Sequence, residues 1–102
     1  METTTTNIPL LDRNRLITAL SHDTRWRILK ELSAGEPMMV RELATRVGCS
    51  DTMASKHMAV LRDAGLVICR RQLYQLQPHH VPKPGEPIVD FGHCLLRLDR
   101  AE

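Results

Sequence analysis

Apolar residues recur at helical spacing through the first two thirds of the chain, and the period changes at Gly65. Leu10, Leu11, Leu16, Ile17 and Leu20 predict a first helix over 11–20. Ser21 then stands as the N-cap of a second helix, with Asp23 in its first turn. Trp26, Ile28, Leu29 and Leu32 form its inward side, and Gly35 with Pro37 ends it. A short extended link at 38–40 leads to a third helix over 40–47 and a fourth over 51–64. Gly48 sits where the third helix must stop, and Ser50 or Asp51 offers a cap for the fourth. Ala44, Val47, Met58 and Leu61 face inward. Two short amphipathic helices joined by a tight turn make a helix-turn-helix, whose second helix enters the major groove of DNA.

Beyond Gly65, Leu66–Leu76 (LVICRRQLYQL) and Ile88–Leu98 (IVDFGHCLLRL) are rich in strand formers. The stretch between them holds four prolines and Gly85, which excludes helix or central strand. The pattern therefore predicts one β-hairpin of these two runs, closed by the Gln77–Pro87 loop. The expected fold is mainly α with a β-hairpin wing (α+β), a winged helix-turn-helix. Its parts are a flexible tail at 1–9 and a domain over 10–102, with the helix-turn-helix at 40–64 and the wing at 66–98.

With 102 residues and 42% hydrophobic content there is material for one small core, filled by aliphatic residues because aromatics are only 3%. The net charge of +2 is unevenly spread. Residues 1–40 balance five Lys/Arg against five acids, whereas 41–71 carry six against three. The excess falls on the helix-turn-helix and the start of the wing, where phosphate neutralisation needs it. No apolar run approaches a membrane span and the N-terminus has no signal-peptide pattern, so the expected location is cytoplasmic, with reduced thiols.

With Ala54, Met58 and Leu61 turned inward, Thr52, Ser55, Lys56 and Ala59 face outward on the fourth helix, and Met53 and His57 flank them. Thr52, Met53, Ser55 and Lys56 lie in the N-terminal half that reaches base edges in this motif. Lys56 suits guanine or phosphate, and Met53 suits a thymine methyl. His57 is counted with this face, although its place at the inner edge also suits a half-buried, hydrogen-bonded imidazole. Arg41, Arg62, Arg70 and Arg71 are candidate phosphate clamps. Lys83, with His79 and His80, sits in the wing loop, and Arg25 is expected in an internal salt bridge.

Cys49, Cys69 and Cys94 show no CxxC spacing. Were Gln77 to pair with Ile88, Cys69 would oppose Leu96 and share a face with Cys94. Asp90 and His93 would lie nearby, the one set of residues suited to zinc. Small cysteines packed in strands are the commoner reading, so no metal or other cofactor is assigned. No phosphate loop, HExxH or GxSxG occurs, and no enzyme is expected.

Ala19–Leu29 (ALSHDTRWRIL), Val40–Ala44 (VRELA) and Ser55–Val67 (SKHMAVLRDAGLV) resemble the ArsR-type family of bacterial winged-helix repressors. The resemblance covers about half the chain. It implies binding to double-stranded DNA and transcriptional regulation. The third helix reads RELATRVGC where arsenic-sensing members carry paired cysteines, and the wing lacks the short Gly-Arg turn. No helix is expected after the second wing strand. The expected function is a repressor binding an inverted-repeat operator as a homodimer. Relatives pair partly through the first helix, which places the dimer interface on Leu10, Leu11, Leu16, Ile17 and Leu20. The alternatives are a winged-helix protein-docking module, or a metal or redox sensor using Cys69 and Cys94, its effector unassigned.

Overall fold

The computed structural model describes residues 11–82, 85–86, 88–91 and 94–97. The expected tail at 1–9, Leu10, Lys83 and His93 lie outside them. Four helices come first: α1 (Arg13–Leu20), α2 (Asp23–Leu32), α3 (Val40–Val47) and α4 (Asp51–Asp63). Two antiparallel hairpins follow, β1 (Val67–Arg70) with β2 (Leu73–Leu76), and β3 (Ile88–Asp90) with β4 (Leu95–Arg97). No described helix is long and apolar enough to cross a membrane.

Each helix starts where a side chain satisfies a free N–H group. Asp12 accepts from the Arg15 amide at 3.0 Å to open α1. At α2 the cap is His22 rather than Ser21, its Nδ1 accepting from the Thr24 amide at 3.2 Å. Glu42 reaches back to the Met39 amide at 3.0 Å to fix the start of α3. Ser50 is the cap of α4, its hydroxyl accepting from the Met53 amide at 3.1 Å. Gly48 ends α3 in the left-handed region at φ 78°, turning the chain into the cap of α4. The Trp26 indole, half-buried, donates to the Leu20 carbonyl at 3.0 Å and closes the corner between α1 and α2.

One core joins these elements. Leu16 of α1, Ile28 and Leu32 of α2, Leu43 of α3, and Met58 and Leu61 of α4 are buried together. Removing such side chains from water is the main stabilising term. Gly65, at φ 83°, turns the chain out of α4 beneath Leu11, whose Cδ2 lies 3.0 Å from where a Cβ would stand. Leu66 and Val67 then enter the core.

The strand pairing differs from the single long hairpin expected of 66–76 and 88–98. Leu66–Leu76 folds on itself, with Val67 opposite Leu76 and Arg70 opposite Leu73. The turn is Arg71–Gln72, at φ 53° and 69°. Such a two-residue turn needs positive φ at both positions, which Asn-Gly usually supplies. Without that signal, eleven strand-forming residues look like one strand. Burial explains the fold: Val67 and Leu76 are buried at the base, and 70–73 are exposed at the tip. Met38 adds a bridge to β2, donating to the Tyr74 carbonyl at 2.8 Å and accepting from its amide at 2.7 Å.

The second run also forms its own hairpin, with Val89 opposite Leu96. Val89, Phe91 and Leu96 are buried in the core, so this hairpin covers the core rather than completing the wing. In the proline-rich loop, Pro78–His80 forms one 3-10 turn. His80 is buried there, its ring edge-on to Phe91 at 5.1 Å between centroids. It is thus an internal anchor and not a wing-tip contact.

Two backbone substitutions test this account. Gln72→Gly should stabilise the protein by about 0.5–1 kcal/mol by relieving a left-handed residue, and Gly65→Ala should destabilise it by at least about 1 kcal/mol. Urea denaturation measures both, and equal midpoints for all three proteins would contradict the strained-turn assignment.

Candidate nucleic-acid interface

Burial fixes the rotation of α4. Ala54, Met58 and Leu61 are each 0% exposed, which leaves Thr52, Ser55, Lys56 and Ala59 outward and Met53 43% exposed. His57 departs from the expected set. It is 5% exposed, turned toward α2, and its Nδ1 accepts from Arg25 Nη1 at 3.2 Å. A side chain three residues from Ala54 shares the inward side of a helix, so His57 is withdrawn from any outer contact.

Three elements converge beside the outer face of α4. Met39, Val40 and Arg41 at the start of α3, Asp51 and Ser55 of α4, and Cys69, Gln72 and Tyr74 of the wing line an open cleft of about 360 Å³. The bridge between Met38 and Tyr74 holds the α3 start against the wing. Tyr74 is half-buried and stands opposite Cys69 in the hairpin; burial first, then Cys69, pushes its phenol pKa up. Gln72 and Tyr74 were not visible as site residues in the sequence, because only the true turn position brings them to this cleft.

Arg41, Arg62, Arg70 and Arg71 are all exposed. Among the described residues no carboxylate pairs with them or with Lys56. Other cations are engaged: Arg46 with Glu31 at 3.1 Å, Arg27 with Asp23 at 3.2 Å, and Arg15 with Asp63 at 3.8 Å. Exposed pairs of this kind add little stability, but they remove those cations from service elsewhere. Among the described residues, the cations around α4 and the wing tip are left without acids, as are Arg13 and Lys30 on the first two helices.

Two groupings considered from the sequence, the weak metal candidates and the α1 stripe, are not held together as groups. Cys69 opposes Tyr74 rather than Leu96, and Cys94 is exposed in the turn of the other hairpin. No group of three metal-ligating side chains occurs among the described residues. The apolar stripe of α1 is also divided: Leu16 is 1% exposed and belongs to the core, and Leu11 and Leu20 pack partly against it. Ile17, 59% exposed, remains on the surface.

Residues 20–70 match the family described as "Helix-turn-helix domain". The chain is 34% identical over 80 residues to the arsenical resistance operon repressor of Escherichia coli K12, covering 74% of this chain and 68% of that protein. It belongs to the ArsR-type family of winged helix-turn-helix transcriptional regulators. Solved structures of similar proteins agree with this membership. HlyU from Vibrio cholerae is 32% identical with a TM-score of 0.60, covering 68% of this chain and 78% of that one. A predicted DNA-binding transcriptional regulator from E. coli is 35% identical with a TM-score of 0.57, over 68% and 77%. The transcriptional repressor BigR from Xylella fastidiosa is 29% identical with a TM-score of 0.55, over 64% and 69%. As an ArsR-type regulator the chain is a DNA-binding protein rather than an enzyme.

The division of α1 has a measurable consequence. Leu16→Glu buries an unpaired carboxylate and should lower stability by more than about 3 kcal/mol, whereas Ile17→Glu should change it by less than about 0.5 kcal/mol. Thermal melts followed by circular dichroism check this; comparable melting temperatures would remove Leu16 from the core.

Proposed function

We propose that this ArsR-type regulator is a sequence-specific repressor, acting in the cytoplasm as a homodimer on an inverted-repeat operator. The observation that carries the reading is the meeting of the α3 start, the outer face of α4 and the wing on one side, with cations that no acid among the described residues neutralises. In this reading α4 lies in the major groove, with Thr52, Met53, Ser55 and Lys56 at the base edges. Arg41 and Arg62 flank it against phosphates, and Arg70 and Arg71 at the wing tip follow the neighbouring backbone. Lys83 would add one more phosphate contact.

The dimer reading rests on the two-fold logic of helix-turn-helix recognition. One copy reads one half-site, and two copies a helical turn apart multiply specificity. With Leu16 committed to the core, Ile17 is the exposed apolar residue of α1 left for a partner, flanked by the part-exposed Leu11 and Leu20.

Mobility-shift titration against genomic fragments at two salt concentrations tests the function. Lys56→Ala and Ser55→Ala should each cost roughly 1–3 kcal/mol of discrimination for the selected operator. Arg70→Ala and Arg71→Ala should weaken binding to every sequence and flatten the salt dependence by about one contact each. Full affinity in both α4 variants would take that helix out of the interface.

A further inference from the structure

The structure joins three helices through one side chain. Arg25, in the first turn of α2, donates from Nε to the Ala19 carbonyl at 2.9 Å and from Nη2 to the Thr18 carbonyl at 2.9 Å. Both acceptors lie in the last turn of α1, at the negative end of the helix dipole, and the Thr18 carbonyl also accepts from the Ser21 amide and hydroxyl. The third bond runs from Nη1 to Nδ1 of His57, at 3.2 Å, in the middle of α4. Arg25 therefore spans α1, α2 and α4. Its target is a buried residue directly between Lys56 and Met58, one of the outward set and one of the core set.

That third bond needs a neutral imidazole. Nδ1 accepts only if the ring proton sits on Nε2. A proton on Nδ1 converts the acceptor into a donor and sets a cation against the guanidinium. The groups that act electrostatically on His57 are His22, at the cap of α2, and Arg25. The His22 and His57 rings lie 4.5 Å apart between centroids, tilted by 56°. From α1 come the Thr18 and Ala19 carbonyls, which Arg25 already occupies. The acids of the adjoining helix ends, Asp23 and Asp63, are held by Arg27 and Arg15, and Lys56 on α4 itself is exposed.

We propose that the Arg25–His57 hydrogen bond is a pH-sensitive brace that holds α4 in its DNA-reading orientation and opens when His57 takes up a proton. The function of the brace rests on the reading of α4 as the helix that meets DNA. Arg25 and His57 are positioning residues, acting on the operator through the rotation of α4. Burial first, then His22 and Arg25, lower the His57 pKa below its ordinary 6.5. A histidine lowered on folding contributes stability that is present above 6.5 and is lost as pH falls through the folded-state value. The brace is therefore closed at neutral pH and opens on acidification.

The test uses the full chain and a duplex selected from genomic fragments by the wild-type protein at about pH 7.5. Its affinity is measured at about pH 7.5 and at a pH below the His57 midpoint that NMR gives, for wild type and His57→Gln, whose side-chain oxygen accepts from Arg25 without titrating. Wild type should lose roughly fivefold on acidification, the worth of one hydrogen bond. His57→Gln should show no such loss. Affinity that holds or rises in wild type, or that falls as far in His57→Gln, overturns the brace. A second arm needs neither DNA nor a variant. In NMR titrations the His57 ring, the Arg25 guanidinium and the α4 amides should shift with one midpoint below 6.5, and unrelated midpoints overturn the brace as well. If no duplex binds at any pH, the operator reading fails, and the NMR arm decides separately whether the brace opens.

Discussion

Everything exposed on α4 is set by what the helix must bury. Ala54, Met58 and Leu61 are fully enclosed, and they pin the rotation of α4 about its axis. Side chains in a helix cannot be moved independently around it, so burying one stripe dictates the opposite one. Thr52, Ser55, Lys56 and Ala59 face outward because Ala54, Met58 and Leu61 face inward. A polar replacement in the inward stripe would thus disturb the outer face as well as the core.

Packing fixes rotation, and polar contacts fix how α4 sits against its neighbours. Arg25 links the end of α1 to His57, Trp26 closes the α1–α2 corner, and Arg27 donates to the Val47 carbonyl at 3.2 Å near the turn of the helix-turn-helix. All three donors come from consecutive positions of α2. Each meets a backbone carbonyl or a ring nitrogen, so they add direction that apolar contacts lack. The sequence suggested a salt bridge for Arg25; the structure gives it two carbonyls and an imidazole instead. The α2 helix is thereby the frame on which the recognition unit is hung.

The wing shows how a missing local signal misleads. Arg71–Gln72 adopts a turn suited to Asn-Gly, with two left-handed residues that carry some strain. The base of the hairpin compensates, because Val67 and Leu76 are held in the core and Met38 bridges to Tyr74. Reading 66–76 as one strand lost the tight wing, and with it the contribution of Gln72 and Tyr74 to the cleft. The same misreading produced the Cys69–Cys94 pairing, which the separate hairpins do not form.

The sequence by itself determined the four helices, because apolar spacing, Gly48 and the Ser50 cap act within a few residues of one another. It also determined which face of α4 is outward, since helical geometry converts a buried stripe directly into an exposed one. It showed where positive charge gathers along the chain. Tertiary structure alone decided which strands pair, because pairing depends on long-range burial rather than on local propensity. It decided that Leu16 enters the core while Ile17, its neighbour, stays at the surface. And it decided that His57 turns inward to Arg25, thirty-two positions away, a contact that exists only once α2 and α4 are packed together.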